Sequence, residues 1–193
     1  MKIFTTNNAT AIGTYLLIDN DFLSELFRDS ELAKEFFSLF NKNTFLIDPL
    51  TEFEFLRDVF VPRHRRLKKA FLTQPFFLSF PHNQEIFMQL AENAMLLSLI
   101  YSHKGHNKNT KISLVDLFLG SRCMLNAPSM QIITGNKKDF PTSVYDIVSI
   151  INIEQNDGSI KPYSIVQFNK QKFNACYKEI QKMEEKYEKS SGQ

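Results

Sequence analysis

The sequence predicts an α/β fold: a three-layer α/β/α arrangement with a central, mostly parallel sheet, followed by a C-terminal hairpin and helix. Three observations predict it. Short apolar runs alternate with segments of helical periodicity over most of the chain, which favours a parallel sheet covered by helices. A turn sequence typical of a β-hairpin lies between two apolar runs near the C-terminal end of the sequence. The 193 residues are 43% hydrophobic and include 19 phenylalanines, enough for one sizeable core.

The spacing of apolar residues changes between the first predicted strand and the first predicted helix. Residues 15–18 are a continuous apolar run, as in a strand buried on both faces. From Phe22 onward, apolar residues recur at helical spacing, so residues 21–41 form one long helix or two short ones. Residues 45–47 predict a second strand, and Thr51 starts the next helix.

The later elements follow in the same way. Residues 76–80 predict a third strand, residues 83–102 a helix, and residues 131–134 a fourth strand, with a helix capped by Ser113 before it. Two further strands, 147–153 and 163–168, flank the turn sequence Asn-Asp-Gly-Ser, and a charged helix ends the chain. We therefore expect a catalytic unit in residues 1–145 and a hairpin and helix in residues 146–193, packed on the same domain.

Composition indicates where the protein works rather than what it does. The net charge of +2 says little about a nucleic-acid partner. Two cysteines do not make a disulfide framework, and no apolar run approaches the roughly 20 residues of a membrane-spanning helix. We expect a soluble, cytoplasmic protein with no membrane partner.

Four segments place an acid where a strand ends or a helix begins. Asp19 follows the first strand, Glu52 and Glu54 lie in the next helix, Asp116 follows Ser113, and Asp139 follows the fourth strand. Ligands of open α/β sheets sit beyond the carboxyl ends of the strands, where acids from several segments can share a hard cation.

Each acid also has a local explanation. Glu54 fits a capping box with Thr51, Asp21 fits a cap for the first helix, and Asp116 is favoured by a helix dipole. For each of these acids considered alone, capping a helix or closing a turn is the commoner role. The combination favours a shared site, because Asp19 directly follows an apolar run and a partly buried acid is costly unless it is paired or metal-bound.

These segments, in this order, resemble the motifs of PIN-domain ribonucleases, the family of the VapC-type toxins of toxin–antitoxin pairs. Residues 17–26 resemble the opening motif, in which an aspartate ends the first strand, and residues 51–56 resemble the segment with the family's glutamate. Residues 112–123 resemble the third motif. Residues 134–140 resemble the closing Thr-x-Asn-x-x-Asp-Phe pattern, so the resemblance covers about residues 15–141.

The resemblance implies one or two Mg²⁺ or Mn²⁺ ions held by acids from all four motifs. The implied catalytic residues are Asp19, Glu54, Asp116 and Asp139, and the implied metal ligands are Asp19, Glu54 and Asp116, with Asn136 or Asp139 in the fourth acidic place. The implied supporting positions are Thr134, Asp21 and Glu52, with Glu52 as the alternative to Glu54. The chain departs from the family at three places: Asn20 and Asp21 replace the usual Thr or Ser and Asn, Gly135 replaces an often basic residue, and Asn136 is neutral.

The function implied is a metal-dependent endoribonuclease, because a metal ion held by carboxylates can activate water and neutralise charge on a phosphodiester. A VapC-like toxin would have an antitoxin protein as a partner, and such toxins commonly form homodimers. A basic cluster would contact the RNA backbone or serve as an ordinary solvated helix face. Its members are Arg63, Arg65, Arg66, Lys68 and Lys69.

Two alternatives stay open at this point. Asp19-Asn20-Asp21 also resembles the start of haloacid-dehalogenase-like phosphatases, in which the first aspartate is the nucleophile. The second alternative is a PIN-like module that binds RNA or protein and has little or no catalytic activity, because the neutral Asn136 would weaken the fourth acidic position.

Overall fold

The structure, a computed structural model, describes residues 2–6, 14–57, 59–80, 83–105 and 112–191. Its strands are β1 (Lys2–Thr6), β2 (Tyr15–Ile18), β3 (Thr44–Ile47), β4 (Phe77–Ser79), β5 (Met130–Thr134), β6 (Tyr145–Glu154) and β7 (Ile160–Phe168). Its helices are α1 (Asn20–Arg28), α2 (Ser30–Leu39), α3 (Pro49–Arg57), α4 (Pro62–Leu72), α5 (Gln84–His103), α6 (Leu114–Leu125) and α7 (Lys170–Ser191).

The strands form a single sheet in the order β1-β6-β7-β5-β2-β3-β4. The pairs β5–β2, β2–β3 and β3–β4 are parallel, whereas β7 pairs antiparallel with both β5 and β6, and β1 pairs antiparallel with β6. The carboxyl ends of β2, β3 and β5 therefore lie at one edge of the sheet, as predicted for a parallel arrangement.

Helices cover both faces of the sheet, which confirms the predicted α/β class. Because side chains alternate along a strand, Leu16 and Ile18 of β2 pack with α1 and α2 on one face, while Leu17 packs with α5 and α6 on the other. The first face is rich in phenylalanine: Phe22 meets Phe36 edge to face, with ring centroids 4.9 Å apart.

The predicted segment 21–41 is two helices rather than one. Asp29 ends α1 and caps α2, because its side chain accepts hydrogen bonds from the backbone N–H groups of Glu31 and Leu32 at 2.9 Å. The strand β1 is absent from the sequence prediction. It pairs with β6, about 150 residues later, and such a distant partner leaves no local signal.

The C-terminal hairpin extends the same sheet. The boundary drawn at residues 145–146 falls at the start of β6, and β7 lies between β6 and β5. Gly158 closes the turn with a φ of 80°, which a glycine adopts without strain. The helix α7 packs through Phe173, Cys176 and Ile180 into the core of the second face.

Among the described residues, no helix combines the length and apolar character needed to cross a bilayer.

Candidate functional site

Asp19 lies at the junction between β2 and α1 and is 7% exposed. Its Oδ2 accepts a hydrogen bond from the Thr134 hydroxyl at 2.7 Å, and its Oδ1 accepts one from the Asn20 N–H at 2.6 Å. The Thr134 oxygen in turn accepts the Asn136 N–H at 3.0 Å. The ends of β2 and β5, which are neighbours in the sheet, thus hold this carboxylate in place.

Asp21 is not the cap of the first helix, because Asp19 takes that position. Asp21 lies one residue into α1, and its Oδ2 accepts the Gly135 N–H at 2.8 Å, while its Oδ1 accepts the Phe22 N–H at 2.6 Å. Its carboxylate therefore reaches from α1 to the segment after β5.

Asp116 takes part in the cap of α6 and also lies near the other aspartates. Ser113 caps α6, as predicted: its Oγ accepts the Asp116 N–H at 3.1 Å, and its hydroxyl donates to Asp116 Oδ2 at 2.6 Å. The same Asp116 carboxyl raises the pKa of Asp19, Asp21 and Asp139, so it also lies close to the acids of the other segments.

Asp19, Asp21, Asp116 and Asp139, which we call the aspartate cluster, share one electrostatic environment. Burial raises the pKa of Asp19 to about 8, with further contributions from Asp21 and Asp116. Burial, followed by Asp116 and Asp21, raises the pKa of Asp139 to about 6. The pKa values of Asp21 and Asp116 are also raised, mainly by burial. Acids in such an arrangement are strongly stabilised by a bound cation.

Glu52 and Glu54, the glutamates of the second predicted motif, do not belong to the aspartate cluster as the pKa shifts define it. The helix α3 begins at Pro49, so Thr51 is inside the helix and the predicted capping box is wrong. Asp48 takes the cap, accepting the Leu50 N–H at 2.9 Å. Glu54 is half-buried and lies 3.9 Å from Arg57, and neither Glu54 nor Glu52 is among the charges that act most strongly on the aspartate cluster.

Asn136 orients the side chain of Asp139. Its side-chain amide donates to Asp139 Oδ2 at 2.5 Å, in the short 3-10 turn Lys137–Asp139 that follows β5. Of the two candidates for the fourth acidic position, Asp139 is therefore the one that joins the other carboxylates.

The predicted basic cluster lies on α4, none of whose side chains is fully buried. Lys68 differs from its neighbours: its Nζ donates to the Phe55 carbonyl at 2.5 Å and sits 4.2 Å from the centre of the Phe55 ring, so it fastens α4 to α3. Arg63, Arg65, Arg66 and Lys69 are exposed.

Sequence reasoning missed a buried ion pair between Asp48 and Arg122. Arg122 Nη2 and Nε lie 2.9 and 3.1 Å from Asp48 Oδ2, and the side chains of Arg122 and Asp48 are 2% and 1% exposed. The pair joins the end of β3 to α6, the helix that carries Asp116. Asp48-Pro49 is a helix-start signal in the sequence, but nothing local identifies a partner 74 residues away.

The donor chemistry of the aspartate cluster fits a hard divalent cation. Carboxylate oxygens are the ligands that Mg²⁺ and Mn²⁺ prefer, and a cation would offset the burial and the mutual repulsion that disfavour these carboxylates. As the side chains stand in the described part of the chain, no group of three or more His, Cys, Asp or Glu is placed to hold a metal ion.

Gly135 is fixed by its contact with Asp21. A Cβ at this position would clash with Asp21 Oδ2 and would lie 3.0 Å from the Tyr163 ring. We expect Gly135→Ala to displace the Asp21 carboxylate, to lower the free energy of unfolding by about 1–3 kcal/mol, and to weaken Mn²⁺ binding about tenfold. Urea unfolding and calorimetric titration measure the two effects.

Gly158→Ala is the matched control for this change. Its Cβ would meet no atom within 4 Å, but its positive φ makes alanine strained by about 1 kcal/mol. It should lose stability and keep the Mn²⁺ affinity of the wild type. Equal Mn²⁺ affinity in Gly135→Ala and the wild type would show that Asp21 contributes nothing to metal binding.

Comparisons of the chain with models of protein families, with curated proteins and with solved structures give no match. The aspartate cluster and its immediate neighbours are therefore the basis for a functional proposal.

Proposed function

We propose that the protein is a PIN-like, metal-dependent endoribonuclease whose aspartate cluster holds Mg²⁺ or Mn²⁺. One observation carries the proposal. Acids from three distant segments, at residues 19–21, 116 and 139, are partly or almost completely buried and lie close enough that, after burial, charges within the cluster raise the pKa values of Asp19, Asp21 and Asp139. Clusters of perturbed acids are typical of functional sites, and this one lies beyond the carboxyl ends of parallel strands.

Each aspartate has a neighbour that fixes its orientation. Thr134 holds Asp19, the Gly135 N–H holds Asp21, Ser113 holds Asp116 and Asn136 holds Asp139. A bound divalent ion would activate water and neutralise charge on the phosphate. Asp21 takes a larger part in this proposal than the resemblance implies, whereas Glu54 stays a predicted ligand that rests on the resemblance alone.

The partners in the proposal are RNA and, for a VapC-like toxin, an antitoxin protein and a second copy of the chain. The four exposed cations of α4 support an RNA contact, because phosphate contacts dominate affinity for nucleic acids. The antitoxin and the homodimer are predictions from the family resemblance.

The geometry of Asp19 favours a ligand over a nucleophile. A phosphatase of the haloacid-dehalogenase type would need Asp19 to attack phosphorus with a free carboxylate oxygen. Both of its oxygens accept hydrogen bonds, and the side chain is almost completely buried.

We expect Mn²⁺ affinity to rise up to about 50-fold between pH 6 and pH 8, because Asp19 is about half ionised at the upper value. Asp19, with a pKa of about 8, must lose its proton when a cation binds, and each pH unit below that pKa weakens binding up to tenfold. Calorimetric titration at several pH values measures the affinity, and cleavage of a fluorescently labelled single-stranded RNA in Mn²⁺ measures the activity.

The control is the same RNA with EDTA, and p-nitrophenyl phosphate tests the phosphatase alternative. Metal-dependent RNA cleavage that increases from pH 6 to pH 8 supports the proposal. Metal binding without cleavage would favour the inactive binding module, and release of p-nitrophenol without RNA cleavage would favour the phosphatase.

A further inference from the structure

Glu25 is a buried acid that lies on α1 six residues after Asp19. It is 6% exposed, and its carboxylate pairs with Arg28 Nη1 at 3.4 Å and with Lys161 Nζ. A buried charge is costly unless it is paired, so Glu25 fixes the position of both cations.

Lys161 comes from β7, outside the segment that resembles the PIN family, and lies close to the aspartate cluster. Its Nζ is 5.2 Å from the centre of the Tyr163 ring. The edge of that ring lies 3.0 Å from the position a Gly135 Cβ would occupy, and the Gly135 N–H binds Asp21. Lys161 also lowers the pKa of Asp21, as expected for an ammonium group near that carboxylate.

The Lys161 side chain is also open to solvent. It is 45% exposed, and it borders an open cleft of about 650 Å³ together with Glu25 and the polar hairpin turn. The same cation thus faces a buried carboxylate inward and solvent outward, at the border of an acidic site.

We propose that Lys161 binds a phosphate of single-stranded RNA beside the aspartate cluster and that Glu25 positions it for this contact. The inference rests on the proposed function. The ionised carboxylates of the aspartate cluster repel a polyanion, and a fixed cation at the border of the site lowers that repulsion and holds the backbone in register. Lys161 is thus a substrate-binding residue that the family motifs do not include.

The test compares Lys161→Met with Arg28→Met and Lys161→Arg. Arg28→Met is the matched control, because it removes the other partner of Glu25 and leaves Lys161 in place. Binding of a labelled ten-nucleotide single-stranded RNA is measured against salt concentration in EDTA, so this readout is independent of metal and of cleavage. RNA cleavage in Mn²⁺ then gives kcat and KM.

We expect Lys161→Met to weaken RNA binding about tenfold at low salt and to lower the slope of log affinity against log salt by about 0.7, the value for one phosphate contact on a single strand. In Mn²⁺ its KM should rise about tenfold with little change in kcat. Lys161→Arg should restore both, and Arg28→Met should match the wild type.

Two results would overturn the inference: a salt slope for Lys161→Met equal to that of the wild type, or an equal loss in Lys161→Met and Arg28→Met, which would trace the effect to Glu25 and to structure. A wild-type protein that cleaves no RNA in Mn²⁺ would count against the proposed function instead. The binding slopes in EDTA would still decide the role of Lys161.

Discussion

An Asp19→Asn variant is expected to lose RNA cleavage by about a thousandfold, together with Mn²⁺ binding. Asp19 is the most buried acid of the aspartate cluster, and the asparagine removes one negative charge from the proposed metal site. Loss of several kcal/mol of metal-dependent stabilisation of the transition state corresponds to a rate loss of this size. Single-turnover cleavage of labelled RNA and calorimetric titration with Mn²⁺ measure the two losses.

The same variant should be more stable than the wild type in EDTA at pH 8. Burial raises the pKa of Asp19 from 3.8 to about 8 in the folded protein, so the folded state favours the protonated acid. The stabilisation is fully present below about pH 4 and is lost as the pH rises through 8. The asparagine side chain of the variant cannot ionise, so its urea unfolding should depend less on pH, with a gain of several kcal/mol at pH 8.

Glu185→Gln, which removes an exposed carboxylate on α7, is the control and should match the wild type in cleavage, metal binding and stability. RNA cleavage by Asp19→Asn at the wild-type rate would show that the ribonuclease proposal is wrong. A pH dependence of stability unchanged by the substitution would show that Asp19 is not the acid that titrates near pH 8.

Replacing Arg122 with methionine is expected to cost about 3–5 kcal/mol of unfolding free energy. The change leaves the Asp48 carboxylate, 1% exposed, without its cationic partner, and an uncompensated buried charge has a cost of this size. It also removes the contact of the guanidinium with the Phe80 ring, 4.2 Å from its centroid. Urea unfolding at pH 7 measures the loss.

The double variant Asp48→Asn with Arg122→Met should recover most of this stability. The asparagine introduced by Asp48→Asn is neutral, and its side-chain oxygen can still accept the Leu50 N–H that caps α3. Arg63→Met, at an exposed position on α4, is the matched control and should change stability by less than about 0.5 kcal/mol. A double variant no more stable than Arg122→Met alone would show that lost packing, and not the unpaired charge, causes the effect.

The sequence predicts those strands and helices that have a local signal, such as an apolar run or a capping residue. The apolar run before Asp19 and the run ending at Thr134 identify β2 and β5, and Ser113 marks the start of α6. Because parallel strands end at the same edge, these three signals suffice to expect Asp19, Thr134 and Asp116 near one another.

The features that the sequence does not reveal depend on distant partners. The strand β1 exists because β6 lies beside it, and the role of Asp48 depends on Arg122. The choice of Asp139 over Asn136 depends on which way a short turn directs two side chains three residues apart. Asp29 is a residue type that often caps helices, but the helical spacing of apolar residues continues on both sides of it. The sequence alone therefore does not show that Asp29 separates α1 from α2.

The place of β7 between β5 and β6 has a consequence for biosynthesis. A chain growing on the ribosome reaches Asp19, Asp116 and Thr134 before β7 exists, so β5 lacks its second neighbour until residue 168 has been added. Lys161 and Tyr163 arrive at the same late stage. The nascent polypeptide therefore carries incomplete surroundings for the aspartate cluster until β7 has been synthesised.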